Sequence, residues 1–175
     1  MQNPLTSVYT IHMALSLVFL FIQFLFVIYL LYSCIAFISG APFVPTKNST
    51  AEAMIALAHI KKGDTVYDLG SGNGKLLLLA KIAGARAIGY EINPMLVLYS
   101  NSIGARTRWK NFWNADIHDA DVVFVYLLPN KMGRLERKLK KECKKGTRIV
   151  SNSFIFPHWP VLRQDSGLHV YVFKI

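Results

Sequence analysis

The first 46 residues are almost entirely apolar and differ sharply from the rest of the chain. All 20 Lys and Arg and all 10 Asp and Glu lie at or after Lys47. Between Ala14 and Ile38 the only strongly polar side chain is that of Gln23. At about 1.5 Å per residue, a helix of this length crosses roughly 30 Å of hydrocarbon with some tilt. We predict a transmembrane helix at about 14–38, within an anchor segment of residues 1–40.

Two other interpretations of this stretch are weaker. A cleaved signal peptide has a basic region before a shorter apolar core, and this sequence has neither feature. A buried helix of a soluble protein would require a larger partner domain than the remaining residues supply. Because Lys and Arg occur only after the span, the positive-inside tendency predicts a single-pass membrane protein whose body is cytoplasmic.

Residues 41–175 alternate between short apolar runs and helical patterns. The pattern predicts strands at 65–69, 86–92, around 109–117, 121–128 and 147–154, with a hairpin of 159–164 and 168–175. Helices are predicted at 49–60, 75–84, 93–105 and 131–145. Strands separated by helices form right-handed crossovers and a parallel sheet, and a closing hairpin adds antiparallel strands. We therefore expect one α/β domain with a mostly parallel sheet.

A glycine-rich turn, "DLGSGNGK" at 68–75, directly follows the first predicted strand. In such sheets ligands bind at the carboxyl ends of the strands, where glycines let backbone amides approach them. The dinucleotide pattern G-x-G-x-x-G requires a glycine where this chain has Lys75. The turn thus predicts a nucleotide-like ligand that is not a dinucleotide.

Three motifs in order give the chain a family resemblance. The glycine turn is followed by Glu91 in "YEI", 21 positions after Gly70, and then by "NADI". Together they resemble the class I S-adenosylmethionine-dependent methyltransferases, which have a Rossmann-like fold. The resemblance implies that the glycines admit the methionine part of S-adenosylmethionine, that Glu91 accepts hydrogen bonds from the ribose, and that Asp116 binds the adenine amino group. The implied cofactor-binding residues in this region are Asp68, Gly70, Ser71, Gly72, Gly74, Glu91 and Asp116.

Two further stretches narrow the resemblance. "PFVPT" at 42–46 and "YLLP" at 126–129 are similar to segments of the small membrane-anchored protein-lysine methyltransferases that modify the adenine nucleotide translocase or the ATP synthase c-subunit. In that subgroup the first segment folds over the cofactor, and the second lines the methyl-transfer site. The resemblance implies lid residues Pro42, Phe43, Val44, Pro45 and Thr46, and transfer-site residues Tyr126, Leu127, Leu128 and Pro129. Lys47 replaces a proline common in relatives.

The "YLLP" segment also bears on the substrate. Methyltransferases that act on adenine in nucleic acids usually carry D-P-P-Y or N-P-P-Y here, whereas this chain has no polar first residue. An apolar mouth suits lysine, whose amine must lose its proton to react by in-line displacement. With a pKa of about 10.4, this costs roughly 4.6 kcal/mol at pH 7. Desolvation and repulsion by the sulfonium would lower that pKa. We expect methylation of lysine in a membrane-associated protein, with nucleic acid unlikely as the substrate.

Two alternatives to this function stay open at this point. The acceptor could be a lipid or a small amphiphilic amine, or the chain could be a non-catalytic membrane module that binds the cofactor. The basic helix at 131–145 is expected to be solvated or to contact anionic headgroups. Its apolar residues Met132, Leu135, Leu139 and Cys143 predict the face that packs on the sheet. The His and Cys spacings predict no metal site.

Overall fold

The computed structural model describes residues 4–39 and 43–175. Helix α1 (Pro4–Ser39) contains a 23-residue stretch, Tyr9–Leu31, that is long and apolar enough to cross a membrane by length and composition, and none of it is buried against the body. The predicted helix is therefore present, and it begins earlier than Ala14. The expected domain boundary at 40/41 and Pro42 lie outside the described residues.

The body contains a seven-stranded sheet in the order β3-β2-β1-β4-β5-β7-β6. Its strands are β1 (Thr65–Leu69), β2 (Arg86–Glu91), β3 (Thr107–Trp109), β4 (Val122–Val125), β5 (Arg148–Asn152), β6 (Arg163–Asp165) and β7 (Val170–Lys174). Strands β1 to β5 are parallel, and β7 runs antiparallel to both β5 and β6. The Rossmann-like, mostly parallel sheet with a closing antiparallel hairpin is thus confirmed.

Four helices of the body pack on the sheet, the first before its first strand and the other three between parallel strands. They are α2 (Asn48–Ala58), α3 (Lys75–Ile82), α4 (Pro94–Ser102) and α5 (Pro129–Glu142). Met54 of α2 and Leu76 of α3 share one core with Val66 and Phe124. The second core, on the other face, includes Met132, Leu135, Leu139 and Cys143, so the face predicted for the basic helix is the buried one.

The third strand differs from its prediction at 109–117. Strand β3 has only three residues, Thr107–Trp109, and a 3₁₀ turn at Phe112–Asn114 follows it. The reason is local, because the Asn111 side chain accepts a hydrogen bond from the backbone N–H of Trp113 and so begins the turn. This turn determines which residues beyond β3 reach the carboxyl edge of the sheet.

Candidate active site

A cavity of about 520 Å³ lies at the carboxyl ends of β1, β2 and β4. Strand β1 pairs with β2 on one side and β4 on the other, so the chain order reverses here, which is where ligands bind in open α/β sheets. The predicted site residues that line the cavity are Phe43, Val44, Thr46, Asp68, Gly70, Ser71, Gly72, Glu91, Tyr126, Leu127 and Leu128.

The glycine turn after β1 requires left-handed backbone at alternate positions. Gly70, Gly72 and Gly74 have φ values of 94°, 52° and 80°, which side chains with a Cβ rarely adopt. The N–H groups of Gly70 and Ser71 both donate to the carbonyl of Tyr90 in β2. The turn is therefore fastened to the neighbouring strand, with its backbone along the cavity wall.

The Glu91 carboxylate joins the end of β2 to this turn. Its Oε2 accepts from the N–H of Gly72 at 2.9 Å, and its Oε1 accepts from the N–H groups of Ile92 and Asn93, each at 2.8 Å. The residue is buried and borders the cavity. Since a carboxylate offers about four acceptor positions, these three backbone donors leave Oε2 able to accept one more.

Asp68 is a second buried carboxylate on the cavity wall. Burial, reinforced by the negative charge of Glu91, raises the pKa of Asp68 to about 7, and within the described residues no hydrogen bond stabilises its charge. A buried anion is costly unless an opposite charge or a donor lies beside it. The position therefore favours a cationic group in the cavity.

The segment before α2 covers the glycine turn. A Cβ at Gly72 would lie 2.6 Å from Cε2 of Phe43, so only glycine permits the ring to approach this closely. Lys75 holds the segment in place: its Nζ donates to the carbonyl of Thr46 at 2.6 Å and to Oδ1 of Asn48 at 2.8 Å. Sequence analysis did not identify Lys75 as a site residue, because its partners lie nearly thirty positions earlier in the chain.

The other end of the cavity is apolar and aromatic. Tyr126, Leu127 and Leu128 follow β4 directly, with Leu127 buried and the other two half-buried. Phe112 from the 3₁₀ turn and Phe154 from beyond β5 line the same cavity. Neither phenylalanine was predicted as a site residue, although both lie just after strands that end at this edge. The arrangement forms an apolar mouth next to the carboxylates.

Four predicted site residues do not line the cavity: Pro45, Gly74, Asp116 and Pro129. Pro129 is the first residue of α5. A Cβ at Gly74 would lie 2.8 Å from the Cβ of Ala105, so this glycine serves the packing of the segment that follows α4.

Asp116 lies outside the lining of the cavity, and its contact with the adenine amino group stays a prediction. Its exposed carboxylate accepts from the backbone N–H of His118 and lies 2.7 Å from that ring's Nδ1, which lowers the pKa of Asp116. After the 3₁₀ turn the chain leaves the edge of the cavity, so Phe112 lines the wall there and Asp116 does not.

The order of these features is that of a known family. The sequence of residues 68–163, from the aspartate of the glycine turn to the start of β6, matches the family model of the ANTKMT methyltransferase domain. This match covers more than half of the chain. The chain belongs to the ANTKMT methyltransferase domain family. The resemblance to class I methyltransferases drawn from the sequence is thereby confirmed.

Relatives in the family support the same assignment. A protein-lysine N-methyltransferase of Saccharolobus islandicus is 33% identical over 145 residues, covering 75% of this chain and 90% of that protein. The rat lysine N-methyltransferase of the ATP synthase c-subunit is 33% identical over 126 residues, which are 67% of this chain and 58% of the relative. The mouse adenine nucleotide translocase lysine N-methyltransferase is 35% identical over 127 residues and is covered to 55%. The chain thus spans little more than half the length of these two animal relatives.

A solved structure shares this fold of the family. An RNA methyltransferase from Salinibacter ruber, determined in complex with S-adenosyl-L-homocysteine, is 34% identical and superposes with a TM-score of 0.72. The superposition covers 75% of this chain and 94% of that one. The seven-stranded body is therefore the arrangement in which a methyltransferase of similar size holds the product form of its cofactor.

Proposed function

We propose that the chain is an S-adenosylmethionine-dependent methyltransferase that modifies a lysine of a membrane-associated protein. The observation that carries this proposal is a cavity with two buried carboxylates, Asp68 and Glu91, at one end and an apolar mouth at the other. The family and its named lysine methyltransferases support it.

The cavity residues fit this cofactor by charge and by hydrogen-bonding capacity. S-adenosylmethionine carries a sulfonium and an ammonium, and the unpaired buried carboxylate of Asp68 is a suitable partner for a cation. The remaining acceptor position on Glu91 Oε2 suits a ribose hydroxyl, and the backbone of Gly70 and Gly72 gives close access. Phe43 would close the site over the turn. When bound, the cofactor supplies an electrophilic methyl group.

The mouth residues prepare the acceptor amine. A lysine entering between Tyr126 and Leu128 would leave water, which disfavours its ammonium form and lowers its pKa. Among the described residues that line the cavity, the only carboxylates are Asp68 and Glu91, which belong to the cofactor end. The mouth therefore acts by desolvating and aligning the amine and by excluding water.

The membrane part of the proposal rests on α1 and on the relatives. One helix long and apolar enough to span a bilayer precedes the body, and all Lys and Arg follow it, which favours a cytoplasmic body. Relatives are named for the ATP synthase c-subunit and the adenine nucleotide translocase. An anchor would confine the search for a substrate to the membrane plane.

A second candidate, methylation of RNA, has one observation in its favour. The Salinibacter ruber neighbour is named an RNA methyltransferase, and this chain carries a formal charge of +10, which suits a polyanion. Against it, the segment after β4 begins with Tyr126 and two leucines, which offer no amide or carboxylate to hold a planar base amine.

One assay separates these functions. The detergent-solubilised full chain is incubated with radiolabelled S-adenosylmethionine, host membranes and host RNA, and label is counted in protein, lipid and RNA fractions. With the wild type we expect label in methyl-lysine of a membrane protein. Glu91→Ala should lose this label because it binds the cofactor more weakly. Tyr126→Ala should show less label although its affinity for the cofactor is unchanged. Label confined to RNA or lipid would contradict the lysine assignment. No label despite normal cofactor binding would contradict the transferase.

A further inference from the structure

Helix α4 exposes three large apolar side chains to solvent, whereas its Leu96 and Val97 are half-buried. Met95, Leu98 and Tyr99 lie on one side of the helix, at positions i, i+3 and i+4, and are 70%, 67% and 53% exposed. The only buried residue of this helix is Ser100. A surface helix of a globular domain normally buries its apolar stripe, so a solvent-exposed side with three large apolar residues is unusual.

Close packing explains why small residues face inward. A Cβ placed at Gly74 would lie 2.8 Å from the Cβ of Ala105 and 3.0 Å from the Cβ of Ser100. The start of α3 thus approaches α4 too closely for a large side chain at position 100. The close packing therefore turns Ser100 inward, and Met95, Leu98 and Tyr99 lie on the side of α4 that faces solvent.

Trp109 extends this surface at the sheet edge. It is 67% exposed on the edge strand β3, and its Nε1 donates to the carbonyl of Ile92 at 2.9 Å, which fixes the indole beside the start of α4. We call Met95, Leu98, Tyr99, Ile103 and Trp109 the α4 patch; all five are exposed.

The charges around the α4 patch have one sign. Between Glu91 and Asp116 the sequence has three basic residues, Arg106, Arg108 and Lys110, all exposed, and no acidic residue. Lys81 of α3 also reaches this region, since its Nζ donates to the carbonyl of Gly104. Tryptophan and tyrosine concentrate at the headgroup level of membranes, and Lys and Arg are attracted to anionic lipids. The composition of the patch therefore matches an anionic lipid surface.

We propose that the α4 patch docks the body onto an anionic membrane surface. The inference rests on the proposed anchoring, because only residues 32–42 separate the end of the apolar span from the body and so keep the body near the bilayer. Ile92, Asn93 and Leu96, at the start of α4, line the cavity. Docking through α4 therefore brings the cavity to the headgroup level, where a lysine of a membrane protein emerges.

Lipid quenching of tryptophan fluorescence tests the docking directly. The full chain is reconstituted into vesicles of phosphatidylcholine with 30% phosphatidylserine, with or without brominated acyl chains, and compared with Trp109→Phe. Trp159 is buried in the core and Trp113 is half-buried against it, so both should contribute less lipid-dependent quenching than the exposed Trp109, and the signal that remains in Trp109→Phe measures their share. We expect at least half of the Trp109 signal to be quenched, and less without phosphatidylserine. Equal quenching of the wild type and Trp109→Phe would overturn the proposal.

A matched pair of variants tests the rest of the patch. Leu98→Glu places a charge in the patch, and Leu162→Glu places one at a similarly exposed leucine preceding β6. We expect Leu98→Glu alone to reduce Trp109 quenching at least threefold, with unchanged affinity for S-adenosylmethionine. Equal quenching in both variants would contradict docking through α4.

Two further outcomes distinguish a failure of the membrane anchoring from a failure of the docking alone. A chain that fails to float with the vesicles would overturn the anchoring and the docking that rests on it. A chain that floats but shows no Trp109 quenching, and forms a dimer that Leu98→Glu dissociates, would overturn the docking alone, because a second copy would then cover the patch. Neither result depends on whether lysine is the acceptor.

Discussion

Replacing Asp68 with Asn should stabilise the ligand-free protein at alkaline pH and weaken cofactor binding. The wild-type carboxylate is buried, and its pKa is raised from 3.8 to about 7 by burial and by the charge of Glu91. Asn keeps the size of the side chain and removes the charge. The variant therefore separates the energetic penalty of the buried anion from its proposed use in holding a cation.

The magnitude follows from the pKa difference between the folded and unfolded chain. A pKa that is raised from 3.8 to about 7 on folding corresponds to at most about 4 kcal/mol. Because the folded form holds the proton to higher pH, it binds more protons than the unfolded form between about pH 4 and 7, and wild-type stability falls as pH rises through that window. We therefore expect the difference in the free energy of unfolding, Asp68→Asn minus wild type, to increase by about 2–4 kcal/mol as the pH rises from 4 to 8.

Two measurements check this expectation. Urea unfolding of the full chain in detergent, followed by tryptophan fluorescence at pH 4.5, 6 and 8, gives the stability difference at each pH. Calorimetric titration with S-adenosylmethionine gives its affinity. We expect the wild-type Kd to rise about tenfold per pH unit below 7, as Asp68 takes up its proton, and the Kd of Asp68→Asn to be at least tenfold weaker at pH 8 and nearly independent of pH.

The outcome that refutes this reasoning is a stability difference that stays constant with pH. A constant difference would reflect only the packing and hydrogen bonding of the amide, and Asp68 would then not carry a strongly raised pKa. A stability gain of the expected size, with cofactor affinity unchanged, would mean that the charge is buried but does not contact the cofactor.

Two further predictions concern the segment over the glycine turn. Gly72→Ala should weaken cofactor affinity at least tenfold more than Gly70→Ala, because both positions have positive φ but only a Cβ at Gly72 meets Phe43, at 2.6 Å. Calorimetric titration of both variants with S-adenosylmethionine measures the two affinities. Equal losses would mean that backbone strain alone matters. Lys75→Met should lose about 1–3 kcal/mol of cofactor affinity, because it removes two hydrogen bonds that hold the segment before α2. Lys81→Met, on the same helix, is the control and should lose none. Stopped-flow dissociation rates of the cofactor measure the difference, and identical rates in both variants would contradict the role of Lys75.

The elements that sequence analysis predicted best are those specified by neighbouring residues. Strand β1 has the predicted bounds, and Asn93 with Pro94 begins α4 as a sequence-local cap. The glycine turn could also be predicted, because glycines at alternate positions are typical of a turn with left-handed backbone. Such features need no knowledge of distant parts of the chain.

The features that were missed depend on long-range geometry. Lys75 holds a segment nearly thirty residues away, and Phe154 reaches the cavity from beyond β5. Asp116 was expected at the cavity because a short motif follows a strand, but the capped 3₁₀ turn shortened that strand and the carboxylate faces solvent. The outward apolar face of α4 also depends on the close contact of Gly74 with Ser100, which no periodicity reveals.

The charges of the site bear on how the proposed reaction deprotonates its acceptor. S-adenosylmethionine carries two positive charges and one negative charge, whereas Asp68 and Glu91 contribute two negative charges when both are ionised. The cofactor end then has no net positive charge, so repulsion by the sulfonium can supply only part of the roughly 4.6 kcal/mol needed to deprotonate lysine at pH 7. Desolvation between Tyr126 and Leu128 must supply most of it. The apolar mouth is therefore the feature on which transfer should depend most.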